Sequence, residues 1–265
     1  MSQRPIKVGI HGAMGRMGLR LIQLIAEDPG LELAAALERR GHPKLGEDAG
    51  TAAGTDPLGV PLSADPPTAG SVDVMIDFSA PPAALAIGAI CRGRRIPLVV
   101  GTTGFEGGQR GELEAASADI PVLISPNMSR AVNLLMKLVG EAARVLGSAA
   151  DIEIIERHHR TKKDAPSGTA LRLGEVAGRG LAAGRLIPGL PAEAGVRRPG
   201  EIGIHALRVA DCPGEHVVIF SLMGETLELG HRALNRDGFA RGALEAARFL
   251  AGKPPGLYTM EDVLA

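Results

Sequence analysis

The chain has 265 residues, room for one large or two medium domains with buried cores. Its 29 Lys and Arg against 30 Asp and Glu leave a formal charge of −1, and aromatic residues make up only 2%, which excludes a general pull on nucleic acid and the stacking platforms of a single-strand binder. Cys91 and Cys212 are the only cysteines, far apart and without metal-ligand spacing, so free thiols in a reducing compartment and no bound metal are predicted.

In chain order, Met1 to Pro5 leads straight into the apolar strand Ile6-Lys7-Val8-Gly9-Ile10. No signal pattern precedes it and no apolar run is long enough for a bilayer, so a cytoplasmic chain without a membrane partner is expected. The strand runs into Gly12-Ala13-Met14-Gly15-Arg16-Met17-Gly18 and then a helix bearing Leu19, Leu21, Ile22, Leu24 and Ile25. Strand, glycine turn and helix are the context of a dinucleotide site: the glycines permit a tight turn and close backbone approach, and a pyrophosphate sits on the helix N-terminus. The spacing is G-x-x-G-x-x-G, with Met14 where the commoner fingerprint has its second glycine.

A second strand, Leu31 to Leu37, ends at Glu38-Arg39-Arg40. An acid about 20 positions beyond the glycines binds the adenosine ribose, so Glu38 favours NADH, while Arg39 and Arg40 match the 2′-phosphate of NADPH. Use of both cofactors is the expectation. Residues Gly41 to Gly70, rich in Pro and Gly, predict an irregular surface excursion. Three further apolar strands begin at Val72, Ile96 and Ile120 and break into small polar residues. Ligands of an open parallel sheet bind beyond the carboxyl ends of its strands, which places Gly101, Thr102, Thr103 and the turn Ser125, Pro126, Asn127, Met128 at the nicotinamide end. Strands alternating with helices up to about residue 128 predict a doubly wound α/β sheet.

A long helix is predicted from Arg130 to Leu146, with the stripe Leu134, Leu135, Leu138 and Val139 as core. Next comes the densest segment. Asp151-Ile152-Glu153-Ile154-Ile155-Glu156 reads as a strand that delivers His158 and His159 to its end, on opposite faces. After Pro166, Ser167 sits where an N-cap belongs, and helical spacing continues from Ala170 to Val176. The N–H groups of Gly168 and Thr169 at that helix start suit a carboxylate or phosphate, and Arg160, Lys162 and Lys163 add charge on the approach. A small dianionic substrate beside a proton donor is the chemistry this implies. Spacing alone does not rank Lys162 against Lys163. Gly180 to Gly200 reads as a long loop, and strands Ile202 to Ala210, Glu215 to Leu222 and Thr226 to Ala233 follow without helices, as in an antiparallel or mixed α+β sheet. A last helix starts at Gly238. His11, His42, His205, His216 and His231 lack a comparable constellation and read as structural or exposed.

The segment Glu156-Arg157-His158-His159-Arg160-Thr161-Lys162-Lys163-Asp164-Ala165-Pro166-Ser167-Gly168-Thr169-Ala170 resembles the signature of the 4-hydroxy-tetrahydrodipicolinate reductase family, also called dihydrodipicolinate reductases. The glycine loop, the acidic-basic pair at 38–39, the Gly101-Thr102-Thr103-Gly104 stretch and Gly214-Glu215-His216 are similar too, so the likeness covers almost the whole chain. Met128 stands where the family has phenylalanine, Ala131 where it has glycine, and Arg208 to Pro213 is poorer in glycine than the family hairpin.

The resemblance implies a Rossmann nucleotide domain (1–128 plus 239–265) with an inserted α+β substrate and oligomerisation domain (129–238), generally a homotetramer. It implies reduction of a cyclic dicarboxylate by NADH or NADPH with loss of water, on the diaminopimelate route to lysine. Its cofactor residues fall on Gly12, Ala13, Met14, Gly15, Arg16, Met17, Glu38, Arg39, Gly101, Thr102, Thr103, Ser125, Pro126, Asn127 and Met128. His158 becomes the proton donor assisted by Lys162, and His159, Ser167, Gly168 and Thr169 hold a carboxylate. Two rivals stand beside this reading: another nicotinamide-dependent dehydrogenase on the same architecture, against which the paired histidines argue, and a non-catalytic nucleotide sensor.

Overall fold

The computed structural model describes residues 4–181, 184–189 and 195–265, and the chain divides into two compact units, Met1–Arg130 with Asp237–Ala265, and Ala131–Arg236. Among the described residues no helix is long and apolar enough to cross a membrane.

The first unit contains β1 (Ile6–His11), α1 (Arg16–Ala26), β2 (Leu31–Leu37), α2 (Ala49–Ala53), β3 (Leu62–Ser63), β4 (Val74–Asp77), α3 (Pro81–Arg94), β5 (Leu98–Val100), α4 (Gln109–Ala115) and β6 (Pro121–Ile124). After the inserted segment the chain re-enters it as α7 (Asp237–Leu250), β12 (Gly256–Tyr258) and α8 (Met260–Leu264). The strands form one parallel sheet in the order β12-β6-β5-β4-β1-β2-β3. This is the doubly wound order, which reverses between β1 and β4 and opens a ligand crevice beyond their carboxyl ends. Helices cover both faces, so β4 and β6 are buried at every position, as continuous apolar strands of a parallel sheet should be.

Helix α7 completes the core: Ala240, Ala243, Leu244, Ala247 and Leu250 pack with Leu21, Ile22 and Ile25 of α1 and with Val8 and Ile10 of β1. Arg20 fastens the two helices through a two-pronged pair with Asp237, at 2.7 and 2.8 Å. The stretch from Gly41 to Gly70 departs from the irregular excursion expected. The Asp48 carboxylate caps α2 by accepting the Thr51 N–H at 3.0 Å and also accepts those of Leu58 and Val60, and β3 then joins the sheet as its edge with Leu62 buried. Elements this short carry too little periodicity to register in sequence.

The second unit holds most of α5 (Arg130–Leu146), then β7 (Asp151–His158), α6 (Gly168–Gly180), β8 (Arg185–Pro188), β9 (Glu201–Arg208), β10 (Glu215–Leu222) and β11 (Glu225–Arg232). Its sheet runs β11-β10-β7-β9-β8, antiparallel on the β10 side of β7 and parallel on the β9 side. One face carries Ile152, Ile154, Ile202, Ile204, Val218 and Phe220 against Leu135, Val139 and Ala143 of α5 and Ala170, Leu173 and Ala177 of α6. The apolar stripe on α5 is therefore only half core: Leu134 and Leu138 remain 49% and 46% exposed. The loop expected between Gly180 and Gly200 contains β8, parallel to β9; residues 182–183 and 190–194 lie outside the described residues. In the β9–β10 connection Ala210 takes a φ of 39°, a left-handed conformation that suits the glycine missing there.

Candidate active site

In the first unit the β1 end, the glycine turn and α1 form a tight cradle. Gly12 has a φ of +79°, and a Cβ there would stand 2.4 Å from the Phe78 carbonyl oxygen; one on Gly18 would stand 2.2 Å from that of Gly12. Only glycine fits either position, which brings the backbone close to whatever lies over the start of α1. Ala13 is buried, Gly15 and Arg16 are exposed, and Met14 and Met17 are half-buried. The Met14 N–H donates to Glu38 Oε2 at 3.1 Å and the Arg39 N–H to Oε1 at 2.9 Å, so one carboxylate joins the glycine turn to the end of β2. Arg39 is exposed, whereas Arg40 is paired with Asp65.

Beyond β4 and β5 the fully buried Asp77 collects three donors: His11 Nδ1 at 2.7 Å, Ser79 Oγ at 2.6 Å and Thr102 Oγ1 at 2.5 Å. Thr102 Oγ1 in turn accepts the Ser79 N–H at 2.9 Å. The Thr102 hydroxyl is thus spent inside the protein, holding the loop that presents Gly101 and the exposed Thr103. In the turn after β6, Ser125 Oγ donates to the Asn127 carbonyl at 2.8 Å, Pro126 is exposed, and Asn127 Oδ1 accepts the Ser129 N–H at 2.9 Å. Met128 is 1% exposed and packs in the core with α7, so its side chain fills the interior rather than facing a ligand.

In the second unit the strand alternation that buries Ile152 and Ile154 puts Glu156 and His158 on the same face two and four residues later. Glu156 is wholly buried, His158 is 8% exposed, and His158 Nδ1–H donates to Glu156 Oε2 in a short hydrogen bond. The other oxygen, Oε1, accepts the Ser167 N–H at 3.2 Å and Arg208 Nη1 at 3.0 Å. One carboxylate therefore holds the imidazole, the start of α6 and a guanidinium together. With Nδ1 committed, Nε2 is the nitrogen left to exchange a proton. A Cβ on Gly214 would stand 3.0 Å from that Nε2, so the glycine keeps this edge of the ring open.

Ser167 caps α6 by accepting the Ala170 N–H at 3.2 Å, and Gly168 is exposed at the first turn with open space where a Cβ would be. His159 lies just past the strand with Nδ1 2.8 Å from Thr161 Oγ1. Lys162 Nζ donates to Asp164 Oδ1 at 2.8 Å and is mostly covered, while Lys163 is exposed.

Burial holds the proton affinity of His158 below the ordinary histidine range; Glu156 pulls the other way, and the charges of Lys162 and Arg208 add to the lowering. His216, placed directly opposite Glu156 in the β7–β10 register, is pushed down to about 3, chiefly by burial and then by His158, His231 and Lys162. The unfolded chain takes up a proton that the buried His216 ring refuses, so this contribution to stability is complete above the ordinary histidine value of 6.5 and is lost as pH falls towards 3, with His158 acting in the same direction. A chemical-unfolding series over this window is expected to lose up to about 1.4 kcal/mol per pH unit from His216. A flat profile would mean that the rings are not buried in solution.

Two family models cover nearly the whole chain: the N-terminal part of dihydrodipicolinate reductase matches residues 6–128 and the C-terminal part residues 131–264. The chain belongs to the dihydrodipicolinate reductase family. Among its relatives, the 4-hydroxy-tetrahydrodipicolinate reductases of Anaeromyxobacter dehalogenans (strain 2CP-1) and Syntrophotalea carbinolica are each 47% identical, covering 97% and 98% of both chains respectively. A dipicolinate-bound dihydrodipicolinate reductase from Paenisporosarcina sp. TG-14 shares the fold at a TM-score of 0.77 and 24% identity, over 98% of this chain and 100% of that one. An amine dehydrogenase from Mycobacterium smegmatis shares it at 0.63 and 14%, over 98% and 96%. As a member of the reductase family, the chain is an oxidoreductase that uses NAD(P)H.

The reductase signature falls on the end of β7 and the start of α6, where the structure brings His158 and Ser167 together through Glu156. Sequence reasoning ranked His216 with the structural or exposed histidines. It is buried, its Nε2 lies 3.2 Å from Ser167 Oγ, and its ring stands edge-on to His158 at 5.2 Å. Glu156, the first residue of the signature segment, and Arg208 were given no role at the site, although the alternation Ile152, Ile154, Glu156, His158 marks the carboxylate as the histidine's same-face neighbour.

Proposed function

We propose that this chain reduces 4-hydroxy-tetrahydrodipicolinate to tetrahydrodipicolinate, with loss of water, on the diaminopimelate route to lysine. The observation that carries this reading is the buried Glu156–His158 pair tied to the Ser167-capped start of α6. A proton donor and an anion-binding helix end are thereby fixed to each other. One substrate carboxylate rests on the N–H groups of Gly168 and Thr169, with Ser167 behind them and His159 beside them. Lys162 turns from Asp164 towards the substrate and favours the negative charge that develops as hydride arrives. His158 donates its Nε2 proton, and the burial that lowers its proton affinity makes the imidazolium a stronger acid.

Bound NADH or NADPH supplies the hydride. The cradle that a Cβ would fill at Gly12 and Gly18 suits a pyrophosphate over Ala13 to Met17. Glu38 and Arg39 take the adenosine ribose or its phosphate; Gly101, Thr103 and the Ser125 to Asn127 turn meet the nicotinamide end, held in shape by Thr102 and Met128 from beneath. Glu38→Ala is expected to lower NADH affinity relative to NADPH by about tenfold or more, since a hydrogen bond to a charged group contributes about 1.5–3 kcal/mol. Titration of both cofactors checks it, and an unchanged ratio removes Glu38 from the ribose site.

The reading includes a cytoplasmic homotetramer assembled through the second unit's sheet. Its support is the row of exposed positions along β11 and the exposed Leu207 and Leu227. Light scattering tests it against the chain mass of 27.4 kDa. The deciding experiment for activity follows NADH, and separately NADPH, as substrate is made in situ by an upstream synthase from pyruvate and aspartate semialdehyde. Substrate-dependent oxidation is the expected result. Cofactor binding without oxidation would favour a sensor or a different dehydrogenase.

A further inference from the structure

His216 is unusual among the buried polar side chains of the second unit. It is 3% exposed, its Nδ1 is buried without a hydrogen-bond partner, and its Nε2 reaches Ser167 Oγ at 3.2 Å. It sits on β10 opposite Glu156 of β7 and opposite His231 of β11, so the sheet register fixes its place. Side chains facing it are His158, edge-on at 5.2 Å, and His231, at 6.5 Å between ring centres. Such a ring is an expensive core residue: an apolar side chain of similar size would leave no orphaned nitrogen. At the start of α6 the neighbour it touches is Ser167.

An N-cap serine accepts from the second or third N–H of the helix that follows. Ser167 Oγ accepts the third, Ala170 N–H, at 3.2 Å, and the bond to His216 pins the hydroxyl in that direction. We propose that His216 is a positioning residue for recognition of the substrate carboxylate, holding the Ser167 hydroxyl on Ala170 and backing the ring of His158. It touches neither the reacting atoms nor the cofactor. Burial, and after it the charges of His158, His231 and Lys162, hold its proton affinity well below the ordinary histidine value. His231, also buried at Nδ1, is likewise held below its ordinary value by burial.

This inference rests on the substrate site assigned above, and the experiment separates the two. The probe is dipicolinate, a planar dicarboxylate, titrated calorimetrically against the whole protein, with NADH titrated in parallel and KM and kcat measured on the substrate generated in situ. His216→Leu keeps the bulk and removes the hydrogen bond; His216→Gln puts an amide near the position of Nε2. Loss of a cap's direction corresponds to about tenfold in affinity. The Leu variant is expected to bind dipicolinate about tenfold more weakly and to raise KM similarly, with NADH affinity within about twofold of the parent and kcat less affected; the Gln variant is expected to recover most of the loss. Three outcomes overturn the proposal. The Leu variant binds dipicolinate like the parent; it loses NADH and dipicolinate alike, as a general collapse would; or both variants fold and Gln recovers nothing. A parent protein that binds NADH but no dipicolinate instead removes the substrate-site reading itself, and this inference falls with it.

Discussion

His158→Ala is expected to lower kcat by about 10²–10⁴-fold, the range for loss of a general acid, with little change in NADH affinity. The expectation follows from the ring's attachments. Its Nδ1 is bound to Glu156, Gly214 leaves room at Nε2, and the site's remaining buried imidazole, His216, is held at a proton affinity too low to replace it near neutrality. Burial costs His158 some proton affinity, so turnover should decline on the alkaline side from a pH below the ordinary histidine value, and that limb should vanish in the variant. Steady-state assays across pH with NADH saturating measure both features. Turnover close to that of the parent would assign the proton to another group, with Lys162 the first to examine.

The second large effect belongs to Glu156→Gln. The amide can still accept from Nδ1 of His158, but the carboxylate's charge is gone. His158 then loses the negative charge that helps to raise its proton affinity, and Arg208 loses its buried ion-pair partner. A fall in kcat of about 10²-fold or more is expected, as for other histidines deprived of their orienting carboxylate, and the alkaline limb should move to lower pH. Stability should fall as well, by about 3 kcal/mol, the low end for breaking a buried ion pair, because Arg208 retains some contact with water. Denaturant unfolding reads the stability term, and the pH profile reads the electrostatic one. A variant that loses stability but keeps the parent's pH profile would make Glu156 a structural anchor alone.

Much of this was legible in the chain because the signals were local. Gly12 to Gly18 after an apolar strand and Ser167 three residues ahead of the N–H it caps lie within a few residues of what they define, and Glu38 stands out by its fixed place at the end of the next strand. What stayed hidden depends on register. His216 is 58 or 60 positions from the residues that give it meaning, and only the pairing of β10 with β7 brings it opposite Glu156 and beside His158. Arg208 reaches Glu156 from β9 in the same way. The short strands β3, β8 and β12 were missed for another reason: two to four residues at a sheet edge show no alternation to read. On α5, helical spacing identified an apolar stripe but not its width, so Leu134 and Leu138 were assigned to a core they do not reach.

The late return of α7 and β12 to the first sheet also sets an order of assembly during synthesis. Residues up to Arg130 emerge first, but the helix that fills their core and the strand that pairs with β6 follow the whole inserted segment. At about 5–20 residues per second, the earlier half waits roughly 5–20 s with that apolar surface uncovered, while Ala131–Arg236 already has all its own strands. The N-terminal unit therefore cannot close its core until the whole inserted segment has been made, whereas the inserted unit needs nothing that follows it.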